Sequence, residues 1–133
     1  MWKLAMGAVL AAALGGAACA ADRPDGLWVS QSGNVEVQIG ACGQALCGRV
    51  VRVMANHSMG GPGESAAPPA QVGQVLMSDF APSGEGQWTG HLFNREDGRT
   101  YDCVITPAGR TMDVRAYVFL PIFGKSQTWT RVG

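Results

Sequence analysis

The side chains able to do covalent or metal chemistry are few: His57, His91, Cys42, Cys47 and Cys103 beyond the first twenty residues. Acyl transfer needs a Ser or Cys nucleophile, a base and an orienting acid that converge in space. The pair to consider is Cys103 with His91. Strand alternation sets His91 on the face opposite Trp88 and Leu92, so the two meet only if a bulge breaks the alternation. No catalytic residue is assigned, and an enzyme is not expected. Met54, His57 and Met59 form a small soft-ligand set of a kind that holds copper. Three ligands in a stretch without periodicity make a weak site, and no metal is expected. Asp79, Glu96, Asp97, Asp102 and Asp113 are spaced to pair with Arg99, Arg110 and Arg115 across strands. Such pairs contribute about 0.2–1 kcal/mol each and mark a solvated face.

Cys42 and Cys47 stand apart from these. They flank Gly43-Gln44-Ala45-Leu46, between the strand-like runs Val35–Ile39 and Val50–Val53. Cysteines facing each other across a hairpin lie about 4.5–5.5 Å apart at Cα, within the span that a disulfide accepts. A metal reading of Cys-x4-Cys needs two further ligands, and no second Cys or His pair supplies them. A disulfide is expected. By the loop-entropy model so short a ring is worth roughly 2 kcal/mol, so its main effect is to pin the hairpin. Cys103 is left over and reads as a small buried residue, with a reactive thiol or an intermolecular bridge as the alternative.

The first twenty residues give the bridge its compartment. Met1-Trp2-Lys3 is a short basic start, Leu4–Leu14 an apolar run, and Gly15–Ala20 a small-residue tail with Ala18-Cys19-Ala20 as a cleavage site. This is the layout of a secretory leader. The run is too short for a spanning helix, which needs roughly 20 apolar residues. Cleavage after Ala20 leaves residues 21–133 as a single domain; cleavage before Cys19, with lipidation there, is the alternative. Export, most simply to a bacterial periplasm, follows. Lysines and arginines number ten, as do aspartates and glutamates. Lys3 lies in the leader, so the remainder carries one more acid than base. No basic patch appears, so neither nucleic acid nor an anionic membrane surface is expected as a partner.

These residues must be positioned by strands. Eight segments carry strand patterns: Leu27–Gln31, Val35–Ile39, Gly48–Val53, Gln74–Phe80, Gln87–Phe93, Arg99–Thr106, Arg110–Phe119 and Lys125–Val132. Val35, Val37 and Ile39 alternate with Glu36 and Gln38, the mark of a half-buried antiparallel strand. Turn residues such as Ser32-Gly33-Asn34 and Asp97-Gly98 separate the segments. The exception is 54–73, rich in Gly, Ala and Pro. It reads as a solvated insertion, with a flap over one end as the functional alternative. Eight short strands hide their edges most completely by closing into a barrel, whose interior is either filled by side chains or holds one small ligand. An all-β, up-and-down, eight-stranded antiparallel barrel is expected. Trp28, Trp88 and Trp129 supply interior bulk. Alternation adds Val35, Val37, Ile39, Val51, Val75, Met77, Leu92, Tyr101, Cys103, Ile105, Met112, Val114 and Ala116.

Gly26-Leu27-Trp28 at the start of the first strand, with Arg131 on the last, resembles the lipocalin and calycin superfamily. There a Gly-x-Trp opens the first strand and a basic residue of the final strand packs over the indole. The resemblance implies a barrel floor made by Trp28 and Arg131. A closer resemblance covers Gly26 to Arg131. Gly26-Leu27-Trp28, Cys42-Gly43, Leu46-Cys47-Gly48, Gly90–Asn94, Asp97-Gly98-Arg99-Thr100-Tyr101, Val114-Arg115, Tyr117, Phe123-Gly124 and Gln127–Arg131 are similar to the bacterial family called domain of unknown function 2147. The chain departs from that family's pattern within Met54–Gly73. The resemblance implies fold and export, and carries no activity or cofactor with it.

The function expected is non-enzymatic: an exported monomer that holds a small apolar or amphipathic ligand in the barrel. The candidate lining is Val37, Ile39, Val51, Met77, Trp88, Leu92, Tyr101, Cys103, Val114 and Trp129. The alternative is a module that docks an envelope protein, or inhibits an enzyme, through the loops at one barrel end. No cofactor is expected.

Overall fold

The computed structural model describes residues 23–132. The expected leader and Cys19 lie outside the described residues. Eight strands follow in chain order: β1 (Gly26–Val29), β2 (Val35–Cys42), β3 (Ala45–Val53), β4 (Val75–Gly84), β5 (Gln87–Asn94), β6 (Arg99–Ala108), β7 (Thr111–Tyr117) and β8 (Lys125–Arg131). Each pairs antiparallel with the next, and β8 returns to β1, closing an up-and-down barrel. One 3-10 turn, Pro121–Phe123, lies between β7 and β8. The seam is short: Trp28 pairs with Arg131 and Val29 with Thr130. The Val132 amide extends it below, donating to the Leu27 carbonyl at 2.8 Å. Above it the Gln31 side chain stands in for missing backbone, its Oε1 accepting from the Thr128 amide at 2.6 Å.

Because strand directions alternate, the connections sort onto two ends. The tight turns after β2, β4 and β6 share one end with the start of β1 and the end of β8; this end is the floor. The loops after β1, β3, β5 and β7 share the other, the mouth. Inward residues fill the barrel between them: Val37, Ile39, Val50, Met77, Phe80, Cys103, Ile105, Met112 and Val114 are buried. Burying a large aliphatic or aromatic side chain is worth about 1.5–3 kcal/mol, so this column supplies the main favourable term.

Two bulges revise the interior. In β2–β3, Glu36 pairs with Arg52 while Val37 pairs with Val50, which leaves Val51 as the extra residue. Val50 therefore points inward, and Val51, expected inside, is 45% exposed. A bulge turns every later side chain of a strand to the other face. In β4–β5, Ser78 pairs with His91 and Ala81 with Thr89, so Asp79 and Phe80 together oppose Gly90. Asp79 takes φ 60°, and Phe80 swings into the core in its place. Its ring lies on Gly90, where an added Cβ would come within 2.7 Å of the Phe80 ring. A shift at the start of β4 pairs Val75 with Arg49. Val75, also expected inside, is exposed, and Leu76 packs against the core instead.

The disulfide joins Cys42 and Cys47 at the floor, with Cα atoms 5.6 Å apart. The hairpin differs from the expected four-residue loop. Cys42 pairs with Ala45 and Gly40 with Cys47, so only Gly43 and Gln44 turn the chain. The cysteines are diagonal neighbours on one face rather than direct opposites.

Candidate functional site

The floor is sealed. Trp28 is fully buried, and its Nε1 donates to the Pro24 carbonyl at 2.9 Å. The Arg131 guanidinium lies 4.3 Å from the Trp28 ring centroid. It also donates to the carbonyls of Asp25 (2.8 Å), Arg23 (3.2 Å) and Gly109 (3.2 Å). A cation over indole gains from the ring quadrupole, and three otherwise loose carbonyls gain a charged donor. Gly26 is required at this point. Its φ is 131°, and a Cβ there would sit 2.6 Å from Arg131 Nη1. A second cation, Arg23, covers Trp88 at 5.0 Å, so Trp88 closes the floor rim and does not line the mouth cleft.

The mouth is open. A cleft of about 790 Å³ enters there, and Trp129, Leu76 and Leu92 contribute apolar walls. Polar groups converge from β8, from the end of β7 and from the residue after β1: Lys125, Ser126, Gln127, Tyr117 and Ser30. Gln127 orients Trp129, its Oε1 accepting from the indole Nε1 at 2.7 Å. Of the lining expected from sequence, Leu92, Tyr101 and Trp129 reach this cleft. Val37, Ile39, Met77, Cys103 and Val114 form the packed column beneath it, and Val51 lies outside. Sequence reasoning missed Leu76, Phe93, Lys125 and Gln127. Gln127 had a usable signal, standing two positions from Trp129 on the same face of one strand; Leu76 had none, because its inward turn comes from an irregular pairing.

The segment after β3 is folded across one side of the cleft. Most of 54–73 is exposed to solvent, but it is anchored to neighbouring turns rather than free. Asn34, buried in the β1–β2 turn, holds its first part. The Asn34 Oδ1 accepts from the His57 amide at 2.7 Å, and its Nδ2 donates to the His57 carbonyl at 3.0 Å. The Glu96 carboxylate, from the β5–β6 turn, accepts from the Met59 amide, Ser58 Oγ (3.4 Å) and Ser65 Oγ (3.2 Å). Arg95 donates to the Pro68 carbonyl at 2.6 Å. Ala70 reaches the core. Ser58, Met59, Gly60 and Ala70 line the cleft from this flap. In the same turn Tyr101 donates its hydroxyl to Asp97. That bond raises the Tyr101 phenol and, together with the Arg99 amide, holds the Asp97 carboxyl below its ordinary range.

The remaining reactive groups are dispersed. Cys103 is fully buried in the column, and burial, with Asp113 adding to it, pushes its thiol up to about 12. His91 sits on the outer face, 3.1 Å from Asp79 and 3.6 Å from Asp102, so the structure does not bring it to Cys103. His57 faces Glu64 at 3.4 Å. Among the described residues no three of His, Cys, Asp and Glu converge as metal ligands. No described helix is long and apolar enough to cross a membrane.

A closed eight-stranded barrel, plugged at one end and cleft at the other, defines a small up-and-down barrel protein. The chain belongs to the bacterial family described as "Uncharacterized protein conserved in bacteria (DUF2147)", whose model matches residues 26–131. No curated protein and no solved structure matches it. The matched span runs from the floor glycine to the floor arginine, so it contains the whole closed sheet.

Proposed function

We propose that this is an exported, non-catalytic binding module that holds one small amphipathic ligand in the mouth cleft. The observation that carries the reading is the cleft itself: about 790 Å³, one open end, an indole among its apolar walls and polar groups around its rim. Ligand sites of a few hundred to a thousand Å³ with apolar walls and few polar anchors are the common form. On the β8 side, away from Glu96 and Asp97, the cleft offers a cation and an amide to an anionic head. Glu96 and Asp97, the acids of the rim, are occupied by the flap and by Tyr101. Lys125 has no ion pair among the described residues, and Gln127 keeps its Nε2 for donation while its Oε1 serves Trp129. The apolar part of the ligand would lie on Trp129, Leu76 and Leu92. The leader and the Cys42–Cys47 bridge support a site of action in an oxidising compartment such as the periplasm.

Titration with dansyl-undecanoic acid below its micellar concentration tests this. One saturable site is expected. Leu76→Trp, which fills the cleft from its wall, should abolish it. Lys125→Glu should weaken it about tenfold, which corresponds to about 1.4 kcal/mol. Absence of saturable binding, or binding that Leu76→Trp leaves unchanged, overturns the reading. A protein partner captured from envelope extract equally well by wild type and Leu76→Trp would instead favour docking through the loops.

A further inference from the structure

Among the described residues, the large apolar side chains exposed on this barrel lie in its mouth half. Met54, Met59, Val72, Val75, Val118, Phe119, Leu120 and Ile122 belong to mouth connections or to a strand start there, and Val51 lies on β3 near its mouth end. The most prominent lie together between β7 and β8. Phe119 is 88% exposed, Ile122 77% and Leu120 57%. Val118, beside them, lines the cleft.

This tip is built, not frayed. Arg115 reaches across its base, its Nε donating to the Pro121 carbonyl at 2.6 Å and its Nη1 to Ser126 Oγ at 2.8 Å. The Leu120 amide donates to the Val118 carbonyl, and the Gly124 amide to the Pro121 carbonyl. Gly124 lets the strands close beneath it, since a Cβ there would meet the Ala116 carbonyl oxygen at 2.4 Å. Phe119 takes φ 70°, a region that bulky residues enter only when the surroundings hold them there. The backbone is thus held in a costly shape with an aromatic ring aimed at solvent. A contiguous exposed apolar patch of this kind marks an interaction surface.

Charge selects the occupant. From Val114 to Val132 the chain contains Arg115, Lys125 and Arg131 and no acid. Arg131 serves the floor, but Arg115 and Lys125 stand at the base of the tip. Four apolar side chains at a point with cations directly behind match an anionic phospholipid surface. Apolar groups lie at the acyl boundary while basic groups meet the head groups. The excess is local to this tip: the acids of the same end, Glu64, Glu96 and Asp97, belong to the flap and the β5–β6 turn.

We propose that the barrel docks mouth-first on an anionic phospholipid bilayer through Val118–Ile122, so that an amphipathic ligand passes between the bilayer and the cleft without crossing water. The transfer rests on the ligand reading above; the docking does not. Cosedimentation with vesicles of phosphatidylcholine alone, and of phosphatidylcholine with 30% phosphatidylglycerol, tests the docking. Retention on the anionic vesicles is expected, at least tenfold stronger than on the neutral ones and falling as salt screens the charges. Phe119→Ser with Ile122→Ser should lower it at least tenfold while circular dichroism and dansyl-undecanoic acid binding stay unchanged. Leu76→Trp should do the reverse, blocking the probe and sparing retention. No retention by wild type, equal retention on both vesicles, or full retention by the double serine variant overturns the proposal. So does wild-type dimerisation that the same variant abolishes, because the tip would then be a self-contact.

Discussion

Cys103 shows what a single buried group does to this barrel. Its thiol has an ordinary value near 9.0 and is pushed up to about 12 in the fold, first by burial and then by the Asp113 charge. A proton held more tightly in the folded state adds stability that is complete below pH 9. It is lost as pH rises through the window to about 12, because only the unfolded chain then gives the proton up. Linkage sets the slope at up to about 1.4 kcal/mol per pH unit. Urea melts at pH 8, 9.5 and 11 should show this decline, and Cys103→Ala should flatten it; equal slopes would discount the thiol. At this scale the sequence was informative wherever spacing alone decided the outcome. The meeting of the two chain ends was readable because Gly26-Leu27-Trp28 and Trp129-Thr130-Arg131 bracket a strand-only chain, while the packing of Arg131 over Trp28 was implied by the calycin resemblance. Val51 could not be placed, since its outward turn depends on one extra residue opposite Glu36 and Val37. Phe80 was hidden for the same reason. Its inward position follows from the backbone of Asp79 and from the space above Gly90, neither of which alternation can express.

Among the elements, the flap after β3 departs most from its composition. Gly, Ala and Pro suggest a chain with nothing to bury. The order comes from elsewhere, from Asn34 and Glu96 on neighbouring turns, and a partner so distant in sequence leaves no local trace. One carboxylate receives three donors from the flap. Hydrogen bonds to a charged group are worth about 1.5–3 kcal/mol. Glu96→Ala should therefore cut the opening free energy of residues 57–65 by about that amount, while the global melting temperature moves little. Hydrogen exchange at the Met59 amide measures it, and unchanged protection would show that Asn34 and Arg95 hold the flap alone. The strands themselves were largely readable. Their ends were not: β2 runs on through Gly40, Ala41 and Cys42, residues too small to carry an alternation.

For the whole molecule, the decisive event is closure of β8 on β1. Two residue pairs make the seam, and Arg131 ties it to Arg23, Asp25 and Gly109 while covering Trp28. Replacing it leaves three carbonyls without their donor and removes the cation from the indole. Arg131→Leu should cost about 2–4 kcal/mol, from lost charged hydrogen bonds and the cation–π contact. Denaturant titration with Trp fluorescence reads this directly, and a loss under about 0.5 kcal/mol would mean the strands close the barrel unaided. Closure was legible in advance because eight short strands have few other ways to hide their edges. The cleft was not, since its volume depends on how far Trp129 and Leu92 leave the upper barrel unfilled.

A plugged base makes the interior a cul-de-sac. On the proposed reading, a ligand that enters must leave by the same door. Arrival and departure of such a ligand would then share one rim, and a change at the Glu96 latch, which forms part of it, should alter both together.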